Sequence, residues 1–199
     1  MALTVPSPRA PLAPESAADP VVHWYERVLG WPVAGGNPAQ LLTGVRFDVL
    51  ELPADAGYAL LGRGVPTGPV ALLGRRMRLL VAAGSADELD GLLDWLEWGG
   101  VALDLTALGA GGRITAPRPP GRAGGDSAGA AVWLRPPEPG CEAALPVLSA
   151  LGRTTGRGAP QGAPDLVRLV GAAATECHRA RLARTGDRTR SGQALALFS

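Results

Sequence analysis

The stretch GVRFDVLELPADAGYALLGRG, residues 44 to 64, joins two different periods across one proline. GVRFDVLEL has the β-branched and aromatic content of a strand, Pro53 stops it, and ADAGYALLG follows as a short helix ended by glycine. PVALL and MRLLVAA then flank GRR as a hairpin. A strand that leads through a helix into a hairpin must bury its apolar residues against helices, which excludes an all-helical or an all-β chain.

The neighbouring segments extend the same pattern. Upstream, Ser16 and Asp19 are cap candidates, Pro20 suits a first helical turn, and Val21, Val22, Trp24, Tyr25, Val28 and Leu29 give a helix an apolar face before Gly30. SADE, residues 85 to 88, matches a capping box, and LDGLLDWLEW predicts an amphipathic helix that ends at Gly99 and Gly100. Trp95 and Trp98, at i and i+3 of that helix, are expected in the core. VALDL, GRITA and AAVWLRP predict three more strands, with Asp104 near the end of the first and GAGG, residues 109 to 112, as a hairpin turn. CEAALPVLSALG and DLVRLVGAAATECHRARLA predict two C-terminal helices joined by the linker RTTGRGAPQGA, residues 153 to 163. The order implies an α/β (α+β) fold, a mixed sheet with helices packed on it.

This pattern divides the chain into a proline-rich disordered arm (1–15), one domain (16–137), a helical C-terminal extension (138–184) and a frayed tail (185–199). All 19 basic residues are Arg, an Arg-only usage that accompanies the high Ala, Gly and Pro content of a GC-rich coding background. The formal net charge is only +1, which removes the whole-chain signature of a dedicated nucleic-acid binder and leaves room for a local patch. Cys141 and Cys177 are too few and too far apart for a zinc knuckle or a disulfide scaffold. The N-terminus lacks the pattern of a secretion signal and no segment has the apolar length of a membrane span, so the expected location is cytoplasmic, with no membrane partner.

Carboxylates on strands are the first candidates for chemistry. Alternation places Phe47, Val49 and Glu51 on one face of the strand and Arg46, Asp48, Leu50 and Leu52 on the other, so Asp48 and Glu51 do not form a pair. Taken alone they are a solvated residue and a strand-end residue, and Asp104 is a turn-initiating acid. Arg75, Arg76 and Arg78 lie close together, and Arg113 comes in the later hairpin. They are either solvated arginines or a phosphate site. His23 is expected to be structural or exposed, and the adjacent Cys177 and His178 point about 100° apart on a helix and cannot chelate.

The segments HWYERVLGWPV, GVRFDVLELPADAG, GRRMRLLVAAG, DLTALGAGGRITAP and VWLRPP, within residues 20 to 137, resemble the N-terminal domain of bifunctional DNA primase/polymerases, the prim-pol relatives of archaeal and eukaryotic primase. The likeness is to a variant of actinobacteria in which this domain stands almost alone. In that family two acids on a strand, a histidine on a second strand and an acid on a third serve two divalent cations and the incoming nucleotide's phosphates. By resemblance Glu51 falls on the first acid, Leu52 and Pro53 stand where the second belongs, Met77 falls at or beside the histidine, and Asp104 matches the third site. The resemblance therefore implies a catalytically degenerate primase/polymerase domain, with Glu51 and Asp104 as remnants of the metal site and with Arg75, Arg76, Arg78 and Arg113 binding a nucleotide or nucleic acid. It implies no cofactor, or Mg or Mn if nucleotide binding or activity persists. The alternatives are a protein-interaction or regulatory module on the same scaffold, with a partner on the C-terminal helices, and an active polymerase. The latter would require a second acid from Asp48 or Asp55.

Overall fold

The first helix begins as predicted. Asp19 caps it by accepting from the Val21 N–H at 2.9 Å, Pro20 opens it, and α1 (Pro20–His23) widens into a π-helical run, Trp24–Leu29, that stops at Gly30. Tyr25 and Leu29 are its buried residues. Short strands β1 (Val33–Ala34) and β2 (Gln40–Leu42) follow, then β3 (Asp48–Pro53), α2 (Ala54–Gly62), β4 (Val70–Leu73) and β5 (Arg76–Val81). The computed structural model describes residues 19–121, 130–148 and 164–196, with side chains as far as residue 186. The arm expected over 1–15 and the linker over 153–163 lie outside the described residues.

After β5 come α3 (Leu89–Trp95), β6 (Thr106–Leu108), β7 (Arg113–Thr115), β8 (Val132–Arg135) and α4 (Leu166–Ala196). Two sheets form, β1-β2-β7 and β6-β3-β5-β4-β8, and every ladder in them is antiparallel, not mixed as expected. Within the larger sheet, β3-α2-β4-β5-α3-β6 arranged in the order β6-β3-β5-β4 is the split β-α-β connectivity of the ferredoxin-like superfold. A pattern of that kind hosts many activities, so function has to come from the site.

Both faces of β3 and β5 are covered, which is why they read as near-continuous apolar runs. On one face Leu50, Leu52, Met77 and Leu79 pack with Ala56 and Leu60 of α2, Leu89 and Leu92 of α3, and Leu166, Leu169, Val170, Ala173, Ala174 and Cys177 of α4. On the other, Phe47, Val49 and Leu80 meet Leu41 and Ile114 of the small sheet, with Tyr25, Leu29 and Trp31 closing the side. The C-terminal helix is thus part of the domain's core, and its helical backbone continues to Ala196, past the Arg184 at which fraying was expected.

Several local expectations are corrected. Residues 85–88 form a 3₁₀ turn in which Ser85 is buried and makes no cap. The Ala86 N–H is instead accepted by Asp48 Oδ2 at 2.8 Å. Asp48 is therefore a buried anchor for the start of the α3 segment, not a solvated residue. Helix α3 ends at Trp95, short of Gly99: the Glu97 N–H donates to Asp94 O and the Trp98 N–H to Leu93 O, a Schellman arrangement with Glu97 itself at φ 64°. Beyond that turn the i, i+3 relation of Trp95 and Trp98 no longer holds, so Trp95 is 64% exposed while Trp98 packs on the core beside the His178 ring. CEAALPVLSALG yields a single 3₁₀ turn, Cys141–Ala144, because Leu145 is extended ahead of Pro146; residues 149–152 lie outside the described residues.

The expected VALDL strand lies further along the chain. β6 starts at Thr106, pairing with Glu51, and Asp104 sits in the bend before it. β6 and β7 do not form a hairpin: they belong to different sheets, and residues 109–112 turn the corner between them, fixed by Thr43, whose hydroxyl donates to Gly109 O at 2.6 Å. Gly44 stands at φ 83° against the same corner, where a Cβ would overlap the Ala110 backbone.

Candidate functional site

The larger sheet keeps one polar end. On β3, Glu51 follows Phe47 and Val49 on the face that the small sheet covers, and it lies where that cover gives out. Its ladder partners are Arg78 on β5 and Thr106 on β6, and Pro53 pairs with Arg76. Arg76 and Arg78 thus share Glu51's face, whereas Met77 between them points to the helices and is fully buried against Gly57. Met77, at or beside which the family's histidine falls by resemblance, faces away from the acids, and the residues beside it, Arg76 and Arg78, face them.

The acids are held by guanidiniums. Arg76 Nε donates to Glu51 Oε1 at 3.0 Å and Arg76 Nη1 to Asp104 Oδ1 at 2.7 Å, while Arg78 Nε donates to Glu51 Oε2 at 2.7 Å. The side chains of Arg78 and Glu51 are only 12% and 18% exposed, and that of Asp104 is 56% exposed. Burial pulls the Arg76 pKa down, but the hydrogen bonds and charges of Asp104 and Glu51 outweigh it and leave the guanidinium above its ordinary value. Cys177 of α4 backs this corner, its Sγ 3.9 Å from Asp104 O. Burial first, then the Asp104 charge, pushes its thiol up to about 12.

The structure brings together Glu51, Asp104, Arg76 and Arg78, as the sequence reading grouped them, and leaves Arg113 apart. Arg113 lies in β7 of the small sheet, opposite Leu42. Neither substitute acid completes a pair: Asp48 lies on the opposite face, and Asp55 pairs with Arg184 at 2.8 Å. A two-cation centre needs carboxylate oxygens open to the ions. Here both oxygens of Glu51 accept from arginine, and one guanidinium joins the two carboxylates, so the residues do not fit such a pair.

Beside this network opens a cavity of about 850 Å³. Its walls are the start of α2 (Pro53, Ala54, Asp55, Tyr58), the β4–β5 turn with Arg75 and Arg76, Asp104, and Arg181, Arg184 and Thr185 of α4. Four guanidiniums and two carboxylates line it. Arg76 is engaged by Asp104, and Arg184 by Asp55; Arg181 donates to Ala102 O, and Arg75 is exposed at the hairpin tip. Positive charge is therefore in surplus, and the arrangement suits an anion.

The sequence reading missed Arg181 and Arg184. They continue, at spacings of four and three residues, the same helix face as Leu166, Val170, Ala173 and Cys177, so the sequence shows that face turning from apolar to basic, but nothing local shows which surface its basic part meets. Trp31 and Trp133 are structural: Trp31 Nε1 donates to Glu142 at 2.6 Å, and Trp133 Nε1 to the Tyr25 hydroxyl at 3.0 Å. His23 is exposed on α1. Among the described residues no helix is long and apolar enough to cross a membrane. Comparison with protein-family models, with curated proteins and with solved structures finds no match to this chain.

Proposed function

We propose that the chain is a primase/polymerase-like domain that no longer transfers nucleotides and retains a site for a phosphate-bearing ligand, a nucleotide or a nucleic-acid strand. One observation carries the reading: both acids of the site are ion-paired with Arg76, at the edge of a cavity with cationic surplus. Arginine offers planar, bidentate donors to phosphate oxygens and keeps its charge at any physiological pH. With its carboxylates neutralised, the same site has lost the means to hold the cations that phosphoryl transfer requires.

Titration with nucleoside triphosphates and with single-stranded DNA tests the binding, and primer extension tests the loss of transfer. Binding of either ligand without extension is expected. Silence toward both at millimolar ligand, or template-dependent extension, contradicts the proposal.

A second reading, a protein-interaction or regulatory module, draws on the exposed Val132 and Leu134 of edge strand β8. The C-terminal helix is less suited to a partner, because its apolar face is spent on the core and Leu182 is its one large exposed hydrophobic among the described residues. A partner retained by the wild type and lost on Val132→Ser with Leu134→Ser would favour this reading; equal retention would remove it.

A further inference from the structure

Helix α4 walls the cavity with charges that no local motif explains. Arg181 and Arg184 stand one turn apart, facing Arg75 of the hairpin tip and Asp55 of α2. Their helix is anchored independently of them, through Leu166, Leu169, Val170, Ala173, Ala174 and Cys177 in the core and, at its start, through the Leu166 N–H, which donates to Val147 O. The arginines are thus presented from a rigid element, and their charges are not needed to hold it there.

The four guanidiniums differ in what already occupies them. Arg76 is already paired with two carboxylates, Glu51 and Asp104. Arg184 meets one carboxylate, Asp55, whose side chain is 48% exposed, so that pair is of the surface kind and is weak. Arg181 gives one of its five N–H donors to a backbone oxygen, and among the described residues neither it nor Arg75 meets a carboxylate. The start of α2, at Pro53 and Ala54, opens on the same cavity and adds partial positive charge.

Resting on the anion-binding reading of this cavity, we infer that α4 supplies the ligand-gripping arginines, Arg181 and Arg184, and that Asp55 is a resident competitor. An arriving oligophosphate takes the place of the Asp55 carboxylate on Arg184, so the cavity selects ligands with two or more negative charges clustered within it. A single charge gains too little from Arg75 and Arg181 to dislodge Asp55. The free nucleotide and the end of a nucleic-acid strand share this chemistry, and inorganic pyrophosphate is its simplest probe.

The test is calorimetric titration of the full chain with inorganic pyrophosphate and, in parallel arms, with a nucleoside triphosphate and a 5′-phosphorylated oligonucleotide. Arg181→Gln should weaken pyrophosphate binding about tenfold. Asp55→Asn, which keeps an acceptor for the Ala56 N–H, should tighten it about two- to fivefold, and adding Arg184→Gln should erase that gain. Urea midpoints of all variants check that each is folded. Binding that depends on Arg75 but is indifferent to Arg181, Arg184 and Asp55 overturns this inference alone. Absence of binding in the wild type overturns it together with the anion-binding reading. The two other arms show which phosphate source the cavity accepts.

Discussion

Arg78 Nε lies 2.7 Å from Glu51 Oε2 across a ladder in which the two residues are register partners, and both side chains are largely withdrawn from water. A carboxylate so placed is fixed by the sheet itself. It has a second guanidinium, Arg76, on its other oxygen, and the charges balance without a cation.

Removing the Glu51 charge leaves the partly buried Arg78 without its carboxylate and Arg76 with Asp104 alone. Glu51→Gln should lower stability by about 2 kcal/mol, whereas Asp104→Asn, at the exposed end of the same network, should cost less than about 1 kcal/mol. Urea unfolding midpoints measure both, and equal effects would show that Glu51 is not the centre of the network.

Met77 tests the direction of the β5 side chains. It is wholly buried on the helix face, with Gly57 against its sulfur, so Met77→His places an imidazole among apolar groups. The expected cost is about 3 kcal/mol, with no gain in phosphate binding. A stable Met77→His variant that binds nucleotide more tightly would mean that this position faces the cavity after all.

Glu97 occupies a left-handed conformation at the end of α3, which a side chain resists and glycine does not. Glu97→Gly should raise stability by about 0.5 to 1 kcal/mol after the extra freedom of the unfolded chain is allowed for. Thermal melting checks the sign.

Burial pushes the Cys177 thiol from 9.0 up to about 12 and the Cys141 thiol up to about 11, and raises the Tyr25 hydroxyl as well. Above pH 9 the unfolded chain loses thiol protons that the folded chain keeps, so the stability that these groups contribute is intact below pH 9 and falls as pH rises toward their folded values. The slope is at most about 1.4 kcal/mol per pH unit for each group. Cys177→Ala should flatten the decline between pH 9 and 10 in urea titrations; an unchanged slope would place the titration elsewhere.

The sequence revealed those parts of the fold that rest on local periodicity. The β3–α2 junction at Pro53, the β4–β5 hairpin and the apolar run of α4 follow from alternation, turn residues and helical spacing, and strand alternation correctly separated Asp48 from Glu51. The errors came where a distant partner overrode the local signal. Asp48, across the fold, accepts from the Ala86 N–H, the Ser85 N–H that a capping box would give to Glu88 goes to Ala82 O, and Glu51 drew Thr106 rather than Asp104 into the ladder. Trp95 was misplaced because Glu97, and not a glycine, ended the helix. The acids and Arg76 were named from the sequence as site residues, but their mutual pairing depends on cross-strand register, and the contribution of Arg181 and Arg184 depends on where α4 docks.

The central claim is that arginines, and not cations, hold the acids and leave a site that binds phosphate without metal. Calorimetric titration of the protein with a nucleoside triphosphate, first in chelator and then in manganese, tests it most directly. The account predicts binding in chelator, with affinity unchanged or weakened when manganese neutralises part of the ligand's charge. Binding that appears only with manganese would contradict it.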